Sequence, residues 1–474
     1  MITIIGAGRD RYDMTLRGIN AIESADLVVV KTALADTYEY FENKRIAVTT
    51  LDELYTKAKD FDELDRLIVE YFKGIASEYK NIAYVVAGTG CDDTSVRLLK
   101  SESECEIIAG VDGAATALTD FPCVNYTVVS GSFFLDKKVL NIDKRIPLII
   151  KEVDNERLAG VVKLWLAKLY GDETQITVFR GVAKENIAIY ELDRLKEYDY
   201  RTTVLIQPAE LTERSRFDFS DLMEIMYILR GENGCSWDKA QTHESIRQNL
   251  LEEACELVDA IDNEDLENMI EETGDVLLQS VFHSVIAEQT AEYDVYDVLT
   301  SLCAKLLTRH THIFGSDRAS TDVEALAFWE KAKGAEKQYK NTSDKMQKVA
   351  KGLFSLTYCE KLLKYAKKAG FKQKNAEGAI DKLYEKIGEL LKAKSDKEKE
   401  TAVGDVLFAA VDAIGYFGVS PEIALRESCK RFIDRFGLTE ELIERQGLDI
   451  KTLGFEEIEN FYQQAKGISE NENR

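Results

Sequence analysis

Four acidic residues within one short stretch stand at spacings that could hold a metal ion: Glu253 and Glu256, then Glu272 and Asp275. Residues three apart share a face of an α-helix, so each pair presents two carboxylates to one side. Asp262 and Asn263 lie between the pairs and supply a turn, with Asp265 placed to cap the second helix. Counted from Asn263, Glu253 is ten residues back and Asp275 twelve forward, while Glu256 is seven back and Glu272 nine forward. At a rise of ~1.5 Å per residue, the members of each couple stand at heights about 3 Å apart on an antiparallel hairpin. The spacing predicts four converging carboxylates.

The elements that must position these acids are read from apolar spacing. Leu250, Leu251, Ala254, Leu257, Val258 and Ile261 fall on one arc at ~100° per residue, which predicts an amphipathic helix with Glu253 at the edge of the arc. From Val276 to Ile286 the second helix is apolar nearly all round, and it is expected to be buried. One polar stripe interrupts it, formed by Glu272, Asp275, Gln279 and His283. An unpaired buried carboxylate costs several kcal/mol, and like charges at short range add to that cost. A hard divalent cation removes both penalties, and all-oxygen ligation suits Mg²⁺ or Mn²⁺ rather than Zn²⁺. Magnesium keeps waters and shares its shell with substrate phosphates, so the expected ligand is a nucleotide or another pyrophosphate ester. The competing reading is an ordinary solvated helix surface paired with lysines; the matched heights and the apolar second helix weigh against it. His283 by itself reads as a satisfied core histidine before it reads as a ligand.

A chain of 474 residues exceeds what one hydrophobic core supports, so two or three domains are expected. The net charge of -24 repels a phosphate backbone, which argues against a nucleic-acid polymer as partner. A small phosphorylated ligand is still compatible, because a bound divalent cation reverses the local sign. No apolar run approaches the ~18 residues that a membrane span needs, and MITIIGAGRD lacks the features of a secretory signal. A cytoplasmic protein with no membrane partner is expected. The eight cysteines are scattered singly with no CxxC pair, and they read as reduced thiols.

Residues 1–208 alternate β-rich runs with helical stretches: ITIIGAG, ADLVVVKT, IAYVVAGTG, RIPLIIKE, QITVFRG and TTVLIQP. This predicts an α/β domain. The β-rich runs stop near 208–221, and the remainder reads as all-α, with Pro421 opening a helix. The run ETGDVLLQSVF at 272–282 is echoed by AVGDVLFAAVD at 402–412, so two related helical units are expected, at 221–340 and 345–440. Residues 467–474 are expected to form a disordered tail.

With these residues in view, 221–335 resembles the MazG nucleotide pyrophosphohydrolases. The resemblance rests on LRGENGCSWDKAQTHES, on an EExxE element at Glu252, Glu253 and Glu256, on an ExxD element at Glu272 and Asp275, and on KLLTRHTHIFG and FWEKAK. It implies an all-α catalytic domain that hydrolyses nucleoside triphosphates to monophosphate and pyrophosphate, with Mg²⁺ held by Glu253, Glu256, Glu272 and Asp275. Lys239, Lys305, Arg309 and Lys333 become candidates for phosphate contacts and Trp237 for base stacking. In the second unit, alignment of Glu389 with Glu256 and Asp405 with Asp275 puts Lys386 in the place of Glu253 and Ala402 in that of Glu272. A lysine there supplies its own counter-charge, so that unit is expected to bind no catalytic metal and to serve packing or homodimerisation.

Residues 1–208 resemble the tetrapyrrole methylases through ITIIGAG, TLRGINAIESADLVVV and VVAGTG. That resemblance implies S-adenosylmethionine at Gly6, Gly8 and Gly88; the other explanation of these glycines is tight strand-to-helix geometry without a ligand. Beside hydrolysis, a methyltransferase and a non-catalytic scaffold that senses nucleotide or S-adenosylmethionine stand as alternative functions.

Overall fold

The computed structural model describes residues 1–135, 141–181, 183–337 and 339–472. The chain divides into two compact units, Met1–Asp294 and Val295–Arg474.

Among the described residues the first unit opens with ten strands: β1 (Ile2–Gly6), β2 (Leu27–Val30), β3 (Thr49–Thr50), β4 (Ile82–Val86), β5 (Cys105–Ile108), β6 (Thr127–Ser130), β7 (Leu148–Lys151), β8 (Gln175–Arg180), β9 (Ala183–Ala188) and β10 (Thr203–Ile206). Interspersed among them are α1 (Leu16–Glu23), α2 (Tyr38–Lys44), α3 (Asp52–Lys57), α4 (Phe61–Ile75), α5 (Thr94–Glu102), α6 (Ala115–Asp120) and α7 (Glu156–Tyr170). Two five-stranded sheets result, ordered β3-β2-β4-β1-β5 and β6-β7-β10-β8-β9. The first is wholly parallel. In the second, β6 and β7 are parallel and the other neighbours antiparallel. Parallel strands covered on both faces need continuous apolar runs, and Ile4, Ile5, Val29, Val85 and Val86 are buried accordingly. The six runs singled out in the sequence are β1, β2, β4, β7, β8 and β10, so the expected α/β domain is present.

Four helices complete this unit: α8 (Phe219–Arg230), α9 (Ser236–Ala240), α10 (His243–Asp262) and α11 (Leu266–Gln289). Buried ion pairs fasten α8 to the α/β portion. Asp221, 2% exposed, takes Lys144 Nζ at 2.7 Å and also pairs with Arg214. At its other end α8 holds α11: Tyr227 donates to Glu288 at 2.8 Å, and Arg230 donates through Nε and Nη2 to Gln289 Oε1 at 3.0 and 2.8 Å. Thr242 caps α10 by accepting from the Ser245 N–H, and Asp265 caps α11 by accepting from the Asn268 N–H. Between them Asn263 and Glu264 reverse the chain, Glu264 with φ of 54°. The hairpin inferred from Asp262–Asp265 therefore forms where the spacing placed it.

The second unit is helical: α12 (Val295–Arg309), α13 (Thr311–Phe314), α14 (Asp322–Lys337), α15 (Thr342–Gln347), α16 (Ser355–Lys368), α17 (Ala376–Leu390), α18 (Asp396–Ile414), α19 (Pro421–Arg445) and α20 (Phe455–Glu472). Pro421 opens α19 as expected. Residues 467–472, where the sequence leads one to expect a disordered tail, lie within α20. The helix has its buried contacts at Phe461 and Ala465, and the following residues extend that hydrogen-bonded rod without interruption by Gly or Pro after Gly467. Residues 473–474 lie outside the described residues.

Candidate metal centre

The α10–α11 hairpin brings three of the four expected acids together. Glu253, Glu272 and Asp275 each offer a carboxylate oxygen within 4.8 Å of the other two. Glu256, on the next turn of α10, is exposed but adds to the negative field at both Glu253 and Glu272. Burial, then the charges of Asp275, Glu256 and Glu272, hold the Glu253 carboxyl above the ordinary glutamate value. Glu272 is raised in the same sense by burial and by Glu256, Asp275 and Glu271. Its Oε2 is shut off from solvent and has no hydrogen-bond partner among the described residues. Crowded carboxylates with an orphaned oxygen fit a hard cation with oxygen ligands better than they fit a self-contained surface network.

Glu252 takes no part in the cluster. It is exposed one residue away on α10, with Gln248 Nε2 3.4 Å from its carboxylate, because adjacent residues on a helix point some 100° apart. The apolar surroundings also differ from expectation. The C-terminal half of α11 is buried at Val281, Phe282, Val285 and Ile286, but Leu277 is exposed. On α10, Leu251 and Ile261 are exposed too, and the buried positions are Ile246 and Ala260. The arc predicted for α10 is thus covered only in part: Leu250, Leu257 and Val258 are half-buried, while Leu251, Ala254 and Ile261 are exposed.

Further along the stripe, Gln279 is 7% exposed and its Oε1 has no partner among the described residues. His283 meets His243, the first residue of α10, with the two Nδ1 atoms 2.7 Å apart. The rings are within 7° of parallel, with centroids 5.0 Å apart. That separation equals the nitrogen–nitrogen distance plus roughly one ring radius at each end, so the imidazoles meet edge to edge through one shared hydrogen rather than face to face. His243 went unnoticed in the sequence, although the count that paired the acids also pairs it: both histidines stand twenty residues from Asn263. Burial and then His243 push the His283 imidazole below its ordinary value.

The remaining expected contacts are dispersed. Trp237, on α9, is 59% exposed, and Lys239 donates to the Glu232 carbonyl at 2.8 Å. Lys305, Arg309 and Lys333 belong to the second unit, on α12 and α14. Arg309 is buried, gives Nε and Nη2 to Glu336 at 2.9 and 2.8 Å, and lies over the Trp329 ring. Its guanidinium pins α12 to α14. In the second unit's own hairpin, α17–α18, Lys386 Nζ lies 2.8 Å from Glu389 and 3.1 Å from Asp405, and Ala402 stands where Glu272 would be.

The glycines of the α/β portion serve backbone approach. Gly8 and Gly88 have φ of 75° and 68° and exchange both backbone hydrogen bonds, at 3.0 and 2.7 Å. A Cβ on Gly6 would come within 2.2 Å of the Thr89 carbonyl oxygen. Beside this bridge lies a cavity of about 870 Å³, which Gly88 lines together with Lys31, Asp92, Asp93, Lys151 and Tyr200; Gly6 and Gly8 do not reach it.

Comparison with known proteins follows the same division. Residues 241–314 match the MazG nucleotide pyrophosphohydrolase domain, and residues 1–197 match the tetrapyrrole (corrin/porphyrin) methylases. Over 98% of both chains this protein is 30% identical to YabN, an uncharacterised protein of Bacillus subtilis. It is 38% identical to the nucleoside triphosphate pyrophosphohydrolase/pyrophosphatase MazG of Thermotoga maritima, over 53% of this chain and 97% of that one. With the nucleoside triphosphate pyrophosphohydrolase of Escherichia coli it shares 35% identity over 52% of this chain and 95% of that one. The chain belongs to the MazG nucleotide pyrophosphohydrolase family and carries a tetrapyrrole methylase-like α/β domain ahead of the MazG region.

Proposed function

We propose that this protein hydrolyses nucleoside triphosphates to monophosphate and pyrophosphate, with Mg²⁺, or Mn²⁺ in its place, held by Glu253, Glu256, Glu272 and Asp275. The observation that carries the reading is the approach of three like-charged carboxylates from two helices, with the Glu272 Oε2 left unpartnered. When bound, the ion offsets charge on the phosphates and lowers the pKa of a water. The chain's own part is rigidity. The α10–α11 turn fixes the heights of the acids, and α8 anchors the far end of α11.

Trp237 is free to offer a stacking face to the base, and Lys239 reaches phosphate by leaving the Glu232 carbonyl. Arg309 is not assigned to phosphate, because Glu336 and Trp329 already engage its guanidinium. The uncovered apolar residues Leu251, Ile261, Leu266, Ile270 and Leu277 favour a homodimer in which a second copy covers this face. A nucleoside triphosphate substrate supports a cytoplasmic location. Among the described residues no helix is long and apolar enough to cross a membrane.

A second reading concerns the α/β domain, where the cavity beside Gly88 supports S-adenosylmethionine binding. Equilibrium dialysis with labelled S-adenosylmethionine tests it; retention lost on Gly88→Val is the expected result. Hydrolysis itself is tested by incubation with a panel of nucleotides with and without Mg²⁺, with pyrophosphate and orthophosphate counted separately. Pyrophosphate alone is expected. Orthophosphate release, or activity undiminished by chelation, contradicts the assignment.

A further inference from the structure

The internal repeat provides a control for the polar stripe of α11. With Asp405 set against Asp275, the same register along α18 puts Ala409 opposite Gln279 and Ala413 opposite His283. With Lys386 set against Glu253, Ala376 opens α17 where His243 opens α10. The α17–α18 hairpin folds with alanine at all three positions, and Ala409 and Ala413 are buried in it. The hairpin architecture therefore has no need of a glutamine or of paired imidazoles there. These groups are present on the hairpin with a complete set of acids and absent from the hairpin in which that set is broken.

Gln279 is the member whose chemistry is left open. Its side chain is more than nine-tenths buried, yet Oε1 accepts no hydrogen bond. A buried amide oxygen without a donor is destabilising, so retaining one where alanine fits calls for a donor that arrives with a ligand. The neighbours on its stripe toward the turn are Asp275 and Glu272, which as carboxylates accept and do not donate. A hydrated divalent cation among those acids would bring water O–H groups whose acidity the ion enhances. An acceptor bonded to such a water sits roughly 5 Å from the ion, comparable with the ~6 Å rise from Asp275 to Gln279.

We propose that Gln279 is a positioning residue whose Oε1 accepts a hydrogen bond from a water in the inner shell of the ion held by Glu253, Glu256, Glu272 and Asp275. The inference rests on the metal reading above, and the test separates the two. Mn²⁺ binding is followed by electron paramagnetic resonance on the full chain, alongside thermal unfolding without metal, for the wild type, Glu253→Gln, Gln279→Ala and Gln279→Glu. The expected result is that Gln279→Ala unfolds no earlier than the wild type, since alanine removes the orphaned oxygen, while its Mn²⁺ dissociation constant rises about tenfold. Gln279→Glu keeps an acceptor oxygen and is expected to bind Mn²⁺ at least as tightly as the wild type. If Gln279→Ala unfolds earlier and binds Mn²⁺ normally, the amide is structural and the proposal is overturned. If Gln279→Ala fails to fold, weak binding by Gln279→Glu overturns it equally. Should Glu253→Gln bind Mn²⁺ like the wild type, the metal reading itself fails, and Gln279 falls with it.

Discussion

The Lys386 ammonium lies 3.1 Å from the Asp405 carboxylate, at the place on α17 that Glu253 occupies opposite Asp275 on α10–α11. One hairpin thus carries an internal counter-charge, and the other is left with crowded acids that have no ion pair among the described residues. The difference between the two repeats is a difference in counter-ion, covalent in one and, on this account, recruited in the other.

Removal of a ligand carboxylate from the first hairpin should stop hydrolysis without unfolding the protein. Glu253→Gln and Asp275→Asn are expected to lower Mg²⁺-dependent pyrophosphate release by at least roughly 100-fold, since even groups that only orient a ligand cost 10–100-fold. Circular dichroism should be unchanged. Glu389→Gln, in the second hairpin, should leave the rate at the wild-type level; a comparable loss there reverses the roles given to the two repeats.

The converse experiment restores what the second hairpin lacks. Lys386→Glu combined with Ala402→Glu is expected to create a second cation site and raise the Mn²⁺ bound per chain about twofold. Titration calorimetry counts the sites, and an unchanged stoichiometry contradicts the counter-ion explanation.

Stability should respond to pH through Glu272. Its folded carboxyl is raised above the ordinary glutamate value by burial and neighbouring acids. The folded state therefore holds this proton more tightly than the unfolded chain, and stability falls as pH climbs from the ordinary glutamate value through the raised one. Without metal, Glu272→Gln should be more stable than the wild type at pH 7, and the advantage should vanish below the ordinary glutamate range. Mg²⁺ should close the gap at pH 7 by stabilising the wild type alone. Urea unfolding across the pH range measures this, and an advantage that grows in acid has the wrong sign.

The strands show what apolar patterning can and cannot reveal. The six runs visible in the sequence are the interior strands of both sheets. The unrecognised strands, Thr49–Thr50, Cys105–Ile108, Thr127–Ser130 and Ala183–Ala188, are the four edges. An edge strand is paired on one side only and need not be continuously apolar; AKENIA in β9 shows how little signal remains. In the candidate centre, the acids were legible because a helical repeat and a turn fix their heights. Leu251 and Ile261 fitted the same helical repeat, but periodicity reports which side is apolar and not what covers it. The family resemblance makes Arg309 a candidate phosphate contact, whereas its partner Glu336 lies on another helix and only tertiary packing brings them together.

The bond between His243 and His283 closes the end of the hairpin opposite the turn, and its loss should be felt at the metal. His243→Ala and His283→Ala are each expected to weaken Mn²⁺ binding by about 2- to 10-fold, the range of a net hydrogen bond. The double variant should be no weaker than either single one, because both changes remove one interaction. Additive losses would show that the imidazoles act separately.

The most direct measurement is anomalous scattering from crystals grown with Mn²⁺ and a non-hydrolysable nucleoside triphosphate. A manganese peak is expected between α10 and α11, ligated by Glu253, Glu256, Glu272 and Asp275 and touching the triphosphate. Manganese elsewhere, with those carboxylates turned to solvent, contradicts the assignment.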